Sequence, residues 1–179
     1  MPPSEPVRKT LGIVFCDIVS FSDLIADAGD LVAANMLRVF YERAGRLGKE
    51  HCCLTMKFIG DGFLATFEGL EDAVELVKSI ERLLIDDPTL AAQHLACKFT
   101  LHYGDVIYVE TSYGPDVLAE QINVAAHLTD VGLPHQLIVS QAALDRLPAD
   151  FRSHAGPSES MALKRGGSVD FRRVDLTVA

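Results

Sequence analysis

The sequence predicts an α+β fold in which helices pack on a mostly antiparallel sheet. Three observations support this prediction. Residues 11–19 form a continuous apolar run rich in β-branched side chains, which is typical of a central strand. Two shorter strand-like runs flank Asp61 and Gly62, and an Asp-Gly pair favours a tight hairpin turn. Segments whose apolar residues recur at helical spacing separate these strands from later strand-like runs.

The N-terminal part of the chain begins with a polar, proline-rich stretch. We expect residues 1–10 to be a flexible segment and residues 11–179 to form one domain. After the first strand, two serines precede Leu24 and indicate a short helix, which Gly29 ends. Apolar residues at helical spacing then predict a long helix over residues 30–48.

The rest of the chain alternates between strands and helices. The hairpin strands read CCLTMKFIG and GFLATFEG, and a helix follows over residues 73–84. Residues 96–110 predict a strand that breaks at Gly104, and residues 117–129 predict a helix after Gly-Pro-Asp. QLIVS, QAALDRL and SVDFRRVDL then predict a strand, a short helix and a last edge strand. This order favours a ferredoxin-like, palm-type sandwich with helices on one face of the sheet.

Composition limits the classes of partner. The chain has 179 residues, of which 49% are hydrophobic and 23% charged, so a sizeable core is expected. A formal net charge of −9 argues against a nucleic-acid or anionic-membrane surface, and no apolar run reaches transmembrane length. The four cysteines lie mostly in apolar stretches without CxxC spacing, which favours reduced thiols and a cytoplasmic location over a zinc site. An anionic substrate would therefore need a metal ion or local cations.

Two aspartates interrupt apolar strand sequence. Asp17 ends the first strand, and Asp61 lies at the tip of the predicted hairpin. If the hairpin neighbours the first strand, the two carboxylates meet at one end of the sheet, where they suit Mg²⁺ or Mn²⁺ over a polyphosphate. The alternative is that Asp17 caps the next helix and Asp61 is only a turn residue. Lys57 is a second charged residue among apolar ones, which marks it as a candidate functional residue. The alternative interpretation is that it lies on an exposed face of the strand.

A polar stripe runs along the helix predicted near residue 120. Asp116, Glu120, Asn123 and His127 follow one another at spacings of four, three and four residues, so on a helix they share one face. The opposite stripe of Leu118, Ile122 and Ala125 is expected to face the core. The alternative interpretation is that the polar stripe is merely the solvated side of an amphipathic helix.

Three blocks of sequence resemble the catalytic domain of the class III nucleotidyl cyclases, the adenylate and guanylate cyclases. In chain order they are FCDIVSFSDL, MKFIGDGFLATF and DVLAEQINVAAHL. LHYGDV and the closing MALKRGG-SVDFRRV are similar to two further family segments, so the resemblance covers nearly the whole chain from Leu11 onward. The short segment between Val109 and Asp116 resembles the compact-arm bacterial members of the family. The resemblance implies the family's fold and a dependence on two Mg²⁺ or Mn²⁺ ions per site.

The resemblance also implies roles for individual residues. Asp17 and Asp61 match the two metal-holding aspartates, and the backbone of Ile18 also meets the metal. The amides of Ser20, Phe21 and Ser22 match the loop that meets the phosphates, and Lys164 is a weaker match for a phosphate contact. Lys57 and Asp116 match the pair that reads the purine edge, and Asn123 matches the residue that orients the ribose.

The activity that the resemblance implies is conversion of a nucleoside triphosphate to its 3′,5′-cyclic monophosphate and pyrophosphate, at sites shared by the two subunits of a homodimer. ATP is the expected substrate because of Lys57 and Asp116, with GTP or a pyrimidine triphosphate as alternatives. The other interpretation is a catalytically impaired domain that binds a nucleotide or a partner domain. It is favoured by His127, which replaces an arginine of active members, and by Ala119 and Leu118, which replace a glycine and an aromatic residue.

Other functions are less favoured by the residues. A diguanylate-cyclase relative would share the palm-type core, but the chain holds no GGDEF-like stretch. A protein-interaction module would carry these motifs only by coincidence. Regulation of the expected enzyme is assigned to dimerisation, a separate protein or a small ligand.

Overall fold

A computed structural model describes residues 5–164 and 166–177 of the chain. Within these residues, eight strands form one sheet: β1 (Val7–Ile18), β2 (Thr55–Ile59), β3 (Gly62–Phe67), β4 (Cys97–Thr111), β5 (Gly114–Leu118), β6 (Gln136–Ser140), β7 (Glu159–Ala162) and β8 (Ser168–Asp175). The helices are α1 (Phe21–Ala28), α2 (Asp30–Glu50), α3 (Leu70–Asp86), α4 (Pro88–Ala91), α5 (Glu120–Asp130), α6 (Gln141–Leu144) and α7 (Ala149–Ser153).

The order of strands across the sheet is β2-β3-β1-β4-β6-β8-β7. β5 is outside this order and pairs with the last residues of β4. Every pair is antiparallel except β4 with β6, so the predicted α+β class with a mostly antiparallel sheet is confirmed. β1 is interior and the β2–β3 hairpin adjoins it, as the ferredoxin-like prediction requires. This arrangement brings the hairpin tip to the end of β1.

The two faces of the sheet are covered differently. Side chains alternate along β1, so Val14 and Cys16 join the larger core under α2 and α3, while Leu11 and Ile13 point to the opposite face. The helices were expected on one face only, but Ala125 of α5 packs with Leu11 and Ile13 on the second face. That second face remains open on β2, where Ile59 is 54% exposed.

The N-terminal boundary of the domain differs from the prediction. β1 begins at Val7 and not at Leu11, because the residues from Val7 onward form a ladder with β4. The Thr10 hydroxyl donates to Asp105 across this ladder, and Lys9 Nζ lies 3.1 Å from Glu68 Oε1, just after β3. Of the segment predicted to be flexible, residues 1–4 lie outside the described residues, and residues 7–10 are strand.

The helix predicted over residues 117–129 begins later, at Glu120. The preceding residues form β5, which pairs with β4 through a tight turn that places Gly114 opposite Thr111. Gly114 has a φ of 110°, a value that a side chain disfavours, and the proline that follows suits a short outer strand. Asp116 is therefore a strand residue, and Leu118 is exposed instead of facing the core.

Two further boundaries are corrected. β4 runs without a break through Gly104, because this residue pairs with Leu11 and the side chain of Gln121 packs against it. β8 is not the edge of the sheet, since β7 pairs along its outer side. β7 has only four residues, which is too short for its alternation to be recognised in the sequence.

The turn between β2 and β3 depends on both of its glycines. Gly60 has a φ of 58°, in the left-handed region. Gly62 lies opposite Asp17 in the ladder, and a Cβ atom at Gly62 would collide with the carbonyl oxygen of Cys16. The second glycine thus permits the close approach of two backbones.

An ion pair ties β5 to β2. The Lys57 ammonium lies 2.7 and 2.8 Å from the two carboxylate oxygens of Asp116. The amide of Val117 also donates to Asp116 Oδ1, at 2.6 Å. Lys57 holds the pKa of Asp116 below its ordinary value, and the Val117 amide acts in the same direction. The pair anchors the tip of the β4–β5 hairpin beside the β2–β3 hairpin.

No helix among residues 5–164 and 166–177 is both long enough and apolar enough to span a membrane.

Substituting Gly62 should disrupt the centre of the sheet. We expect Gly62→Ala to lower the free energy of unfolding by about 2–4 kcal/mol, because the new methyl group must push β3 away from β1. Gly60→Ala is the matched control: its Cβ would meet open space, so only the left-handed φ opposes it, at about 1–2 kcal/mol. Urea unfolding measures both values, and a Gly62→Ala loss no larger than the control would contradict the packing argument.

The Lys57–Asp116 pair should make a pH-dependent contribution to stability. The folded-state pKa of Asp116 is lowered, so the contribution is complete above the unfolded pKa of an aspartate, about 4, and is lost as the pH falls through the lower folded value. We expect Asp116→Asn to cost about 1 kcal/mol or less at neutral pH, because both side chains are partly exposed. The difference from the unsubstituted protein in urea unfolding should shrink as the pH is lowered from neutral to below the unfolded pKa of an aspartate; an equal difference throughout would contradict the assignment.

Candidate active site

The carboxylates of Asp17 and Asp61 lie at the same end of the sheet. Asp17 is the next-to-last residue of β1 and pairs with Gly62, the residue after Asp61. Partial burial raises the pKa of Asp61, and the charge of Asp17 raises it further. The two groups therefore interact electrostatically, and a cation between them would relieve their repulsion.

Lys98 is the cation that the structure adds to this pair. It lies opposite Asp17 in the β1–β4 ladder, and its ammonium is 3.0 Å from Asp17 Oδ2. Its charge also opposes the rise in the pKa of Asp61. The sequence analysis missed Lys98, although it is a single cation between Cys97 and Phe99 in an apolar strand. That signal had no meaning without the register that places Lys98 beside Asp17.

Tyr41 of α2 supports the hairpin tip and was also missed. Its hydroxyl donates to the carbonyl oxygen of Gly60, and its ring stacks on Phe58 with centroids 4.2 Å apart. Burial raises the pKa of the Tyr41 hydroxyl, and the charge of Asp61 adds to the effect. A long helix thus braces the turn that presents Asp61.

The loop after Asp17 leads directly into α1. Ile18 is buried at the end of β1, and Phe21 and Ser22 are the first two residues of α1. Ser20 has a φ of 56°, and its carbonyl accepts hydrogen bonds from the amides of Asp23 and Leu24. The first amides of a helix have no partner within the helix and carry partial positive charge. The amides of Ser20, Phe21 and Ser22 therefore begin a helix next to the two carboxylates.

The Lys57–Asp116 pair described above stands at a different place, between the two hairpins. Lys57 is 43% and Asp116 32% exposed, so a ligand can reach both side chains. Lys57 offers donors and Asp116 offers acceptors side by side. The family resemblance had already named these two residues as a pair, and the structure joins them across 59 residues of sequence.

A third group of polar residues surrounds a cavity of about 210 Å³ beside α5. Its lining consists of Glu120, Asn123, Val124, His127, Leu163 and Lys164. The shared face predicted for Glu120, Asn123 and His127 is thus confirmed, whereas Asp116 is not part of it because it lies on β5. His127 Nδ1 is 3.6 Å from Asp130 Oδ2, on the next turn of α5.

The three groups stay separate in one copy of the chain. Among the described side chains, no hydrogen bond or ion pair joins the carboxylate pair to Lys57 and Asp116, or either of them to the α5 cavity. The structure brings Asp17 to Asp61, Lys57 to Asp116, and Asn123 to His127 and Lys164.

The donor set at Asp17 and Asp61 fits a hard divalent cation. Carboxylate oxygens are the ligands that Mg²⁺ prefers, and it commonly keeps only one or two of them from the protein. In the described part of the chain no cluster of three or more His, Cys, Asp or Glu side chains is arranged around a metal position. Further ligands would come from backbone carbonyls such as that of Ile18, from water or from a bound phosphate.

Known structures share this fold. The catalytic core of a rhodopsin-guanylyl cyclase with converted specificity, in complex with ATPαS, has a TM-score of 0.84 at 16% identity, over 95% of this chain and 98% of that chain. An adenylate cyclase of Trypanosoma brucei in its monomeric state has a TM-score of 0.79 at 17% identity, over 93% and 90% of the two chains. The adenylyl cyclase CyaB from P. aeruginosa has a TM-score of 0.75 at 15% identity, over 96% of each chain.

At these identities the structural likeness concerns the fold. The sequence itself carries the family assignment, because the model of the adenylate and guanylate cyclase catalytic domain matches residues 4–172. This match includes all the residues grouped above. The chain therefore belongs to the adenylate and guanylate cyclase catalytic domain family, the class III nucleotidyl cyclases.

Proposed function

We propose that this protein converts a nucleoside triphosphate, ATP before others, to the 3′,5′-cyclic monophosphate and pyrophosphate. One observation carries the proposal: a single chain presents paired carboxylates for a metal, a donor–acceptor pair for a base and a separate polar cavity on α5. Each of the three matches one part of a metal-bound nucleotide. The four free thiols agree with the cytoplasmic location expected from the sequence, which is part of the proposal.

The proposed active sites lie between two copies of the chain. Because the three groups do not meet in one copy, a second copy must complete each site, and a two-fold axis would generate two equal sites. The open part of the second sheet face is the surface available for this pairing. Exposed Ile59 lies there two residues from Lys57 on the same face of β2, and exposed Leu118 adds apolar surface two residues from Asp116 on β5.

The base would bind at Lys57 and Asp116. Adenine presents an acceptor at N1 and a donor at its 6-amino group, which complement a lysine donor and a carboxylate acceptor. Guanine presents O6 as acceptor and N1–H as donor, so donor and acceptor are exchanged between positions 6 and 1, and the lysine and the carboxylate would each have to meet the other position. ATP is therefore the first substrate to test and GTP the second, while the pyrimidine triphosphates complete the series.

The triphosphate would bind at the carboxylate end of the sheet. When present, two Mg²⁺ or Mn²⁺ ions at Asp17 and Asp61 would neutralise the phosphates and acidify the ribose 3′-hydroxyl. The amides of Ser20, Phe21 and Ser22 would donate to phosphate oxygens from the start of α1. Lys98, freed from Asp17 as a metal takes that carboxylate, would offer a further positive charge.

The residues of the α5 cavity would hold the reacting sugar. The Asn123 amide would orient the ribose, His127 would donate a hydrogen bond to the α-phosphate as charge develops on it, and Lys164 would contact the terminal phosphates. A histidine donates at most two hydrogen bonds and lacks the planar fork of an arginine. His127 is therefore expected to limit the rate and leave binding intact.

A second candidate function is nucleotide binding without efficient turnover, in a regulatory role with a partner domain or small ligand. His127 favours it for the reason just given. Ala119 favours it through the methyl group that it adds in place of a glycine, although its φ of −172° is extended backbone that any residue adopts. A glycine at position 119 would bring no conformational freedom that the fold uses.

Activity assays separate the two functions. Purified protein incubated with Mn²⁺ and each of ATP, GTP, CTP and UTP should yield a cyclic monophosphate and pyrophosphate, most from ATP. Asp17→Asn and Asp61→Asn should each reduce product at least about 100-fold, and should remove the rise in melting temperature that Mn²⁺ with a non-hydrolysable ATP analogue gives the unsubstituted protein. Binding of the analogue without any product would exclude the enzyme and leave the binding function.

Substitution of His127 tests the source of slow turnover. We expect His127→Arg to raise kcat about tenfold or more with little change in KM, because a guanidinium supplies a permanent charge to the transition state. His154→Arg, an exposed position on the far side of the fold at the end of α7, makes the same chemical change away from the cavity and should have no effect. An unchanged kcat in His127→Arg would place the limitation elsewhere in the site.

A further inference from the structure

Helix α5 lies along a polar face of β4. Lys98, Thr100, His102 and Gly104 alternate with core residues of β4 and share the face turned towards α5. Two buried side-chain hydrogen bonds cross this contact: Thr100 with Thr129 at 2.9 Å, and His102 with Gln121 at 2.7 Å. Polar bonds, in addition to apolar packing, therefore set the position of α5 along the strand.

The bond between His102 and Gln121 has a defined direction. The Gln121 partner atom is the amide oxygen Oε1, which only accepts, so His102 Nε2 carries the proton. Burial lowers the pKa of His102, which is only 4% exposed, and so favours the neutral ring. Nδ1 is buried and has no hydrogen-bond partner among residues 5–164 and 166–177. The ring is thus held by its single bond to Gln121.

Gly104 makes room for this bond. A Cβ atom at Gly104 would lie 2.8 Å from Gln121 Cγ and 3.1 Å from Gln121 Cδ. The Gln121 side chain therefore rests on bare backbone two residues beyond His102, on the same strand face. The LHYG stretch of the sequence supplies both requirements, the imidazole donor and the space for the amide that it contacts.

The first turn of α5 depends on such contacts. The residue before the helix is Ala119, which provides no side-chain cap, so the helix start has no local anchor of its own. Gln121 is the second residue of α5, two positions before Asn123 and six before His127. A shift of Gln121 along β4 would move both of these residues relative to Lys57 and Asp116.

We infer that His102 and Gln121 are positioning residues, which hold the first turn of α5 on β4 so that Asn123 and His127 meet the ribose and the α-phosphate in register. The inference rests on the proposed function for those two residues. The effect of misplacement is large, since a shift of about 1 Å in a reacting group can cost on the order of 100-fold in rate. The base and metal groups are on other elements and keep their geometry.

Five variants test the pair. His102→Leu and Gln121→Leu each remove the hydrogen bond with little change in volume, and Gly104→Ala displaces Gln121 without altering either polar group. The double variant His102→Leu/Gln121→Leu tests whether the two residues act as a unit, and His102→Gln restores a donor. The matched control is His51→Gln, which makes the same histidine-to-glutamine change at a bond of similar length, 2.9 Å to Ser79, between the C-terminal cap of α2 and α3.

We expect the three single variants that disturb the bond, His102→Leu, Gln121→Leu and Gly104→Ala, each to lower kcat about 30- to 100-fold while KM stays within about 3-fold. The kcat of the double variant should be no lower than that of the less active single variant, because the effects of residues that act as a unit are not additive. His102→Gln should recover about tenfold over His102→Leu, and His51→Gln should keep kcat within about 2-fold. A kcat that is unchanged in His102→Leu, or a double variant equal to the product of the singles, would overturn the inference.

Hydrogen exchange of the α5 amides separates this inference from the proposed function. In His102→Leu the amides of residues 121–127 should exchange about tenfold faster than in the unsubstituted protein, and in His51→Gln they should not change. If the unsubstituted protein forms no cyclic nucleotide, the proposed function fails while the exchange result still tests how α5 is held. Equal exchange in His102→Leu and in the unsubstituted protein would overturn the positioning role whatever the activity.

Discussion

The contact between the backbones of β1 and β3 at Gly62 governs the rest of this structure. Because there is no room for a side chain between Gly62 and the carbonyl of Cys16, the hairpin turn lies directly against the end of β1. Asp61 is consequently presented beside Asp17, in spite of the repulsion that raises its pKa. The same hairpin fixes Lys57 on β2, from where it reaches Asp116 on the β4–β5 arm. One tight backbone contact thus helps to position both the Asp17–Asp61 carboxylate pair and the Lys57–Asp116 pair.

The site is assembled from internally neutralised charges in an acidic protein. Lys98 is paired with Asp17 and Lys57 with Asp116, so neither cation is surplus before a ligand arrives, and the net charge of the chain is −9. Under the proposed function, binding of a polyanion would require an exchange of partners, in which the carboxylates turn to a metal and Lys98 turns to phosphate. This requirement favours ligands that arrive with their own divalent ions, and it discriminates against bare anions.

Much of the fold follows from local sequence pattern, and much of the site does not. The apolar run of β1, the Asp-Gly turn and the periodic helices α2 and α3 are strong signals, and they lead to the correct class of sheet. β5 was missed because Gly-Pro-Asp is equally a helix start and an outer strand, and only its ladder with β4 decides between them. Asp17, Asp61, Asn123 and His127 carry recognisable motif signals. Lys98 and Tyr41 do not, since their relation to the carboxylates arises from strand register and helix packing across large separations in the chain.

The left-handed backbone of Ser20 has a consequence for the three amides, of Ser20, Phe21 and Ser22, that are proposed to bind phosphate. Serine reaches this conformation less readily than glycine, so neighbouring structure must hold it there, and the cost of order is incurred when the chain folds. The amides of Ser20, Phe21 and Ser22 then sample few alternatives before any anion is present. A ligand that binds there would remove little further conformational entropy from the loop. In this sense the start of α1 is preorganised for binding.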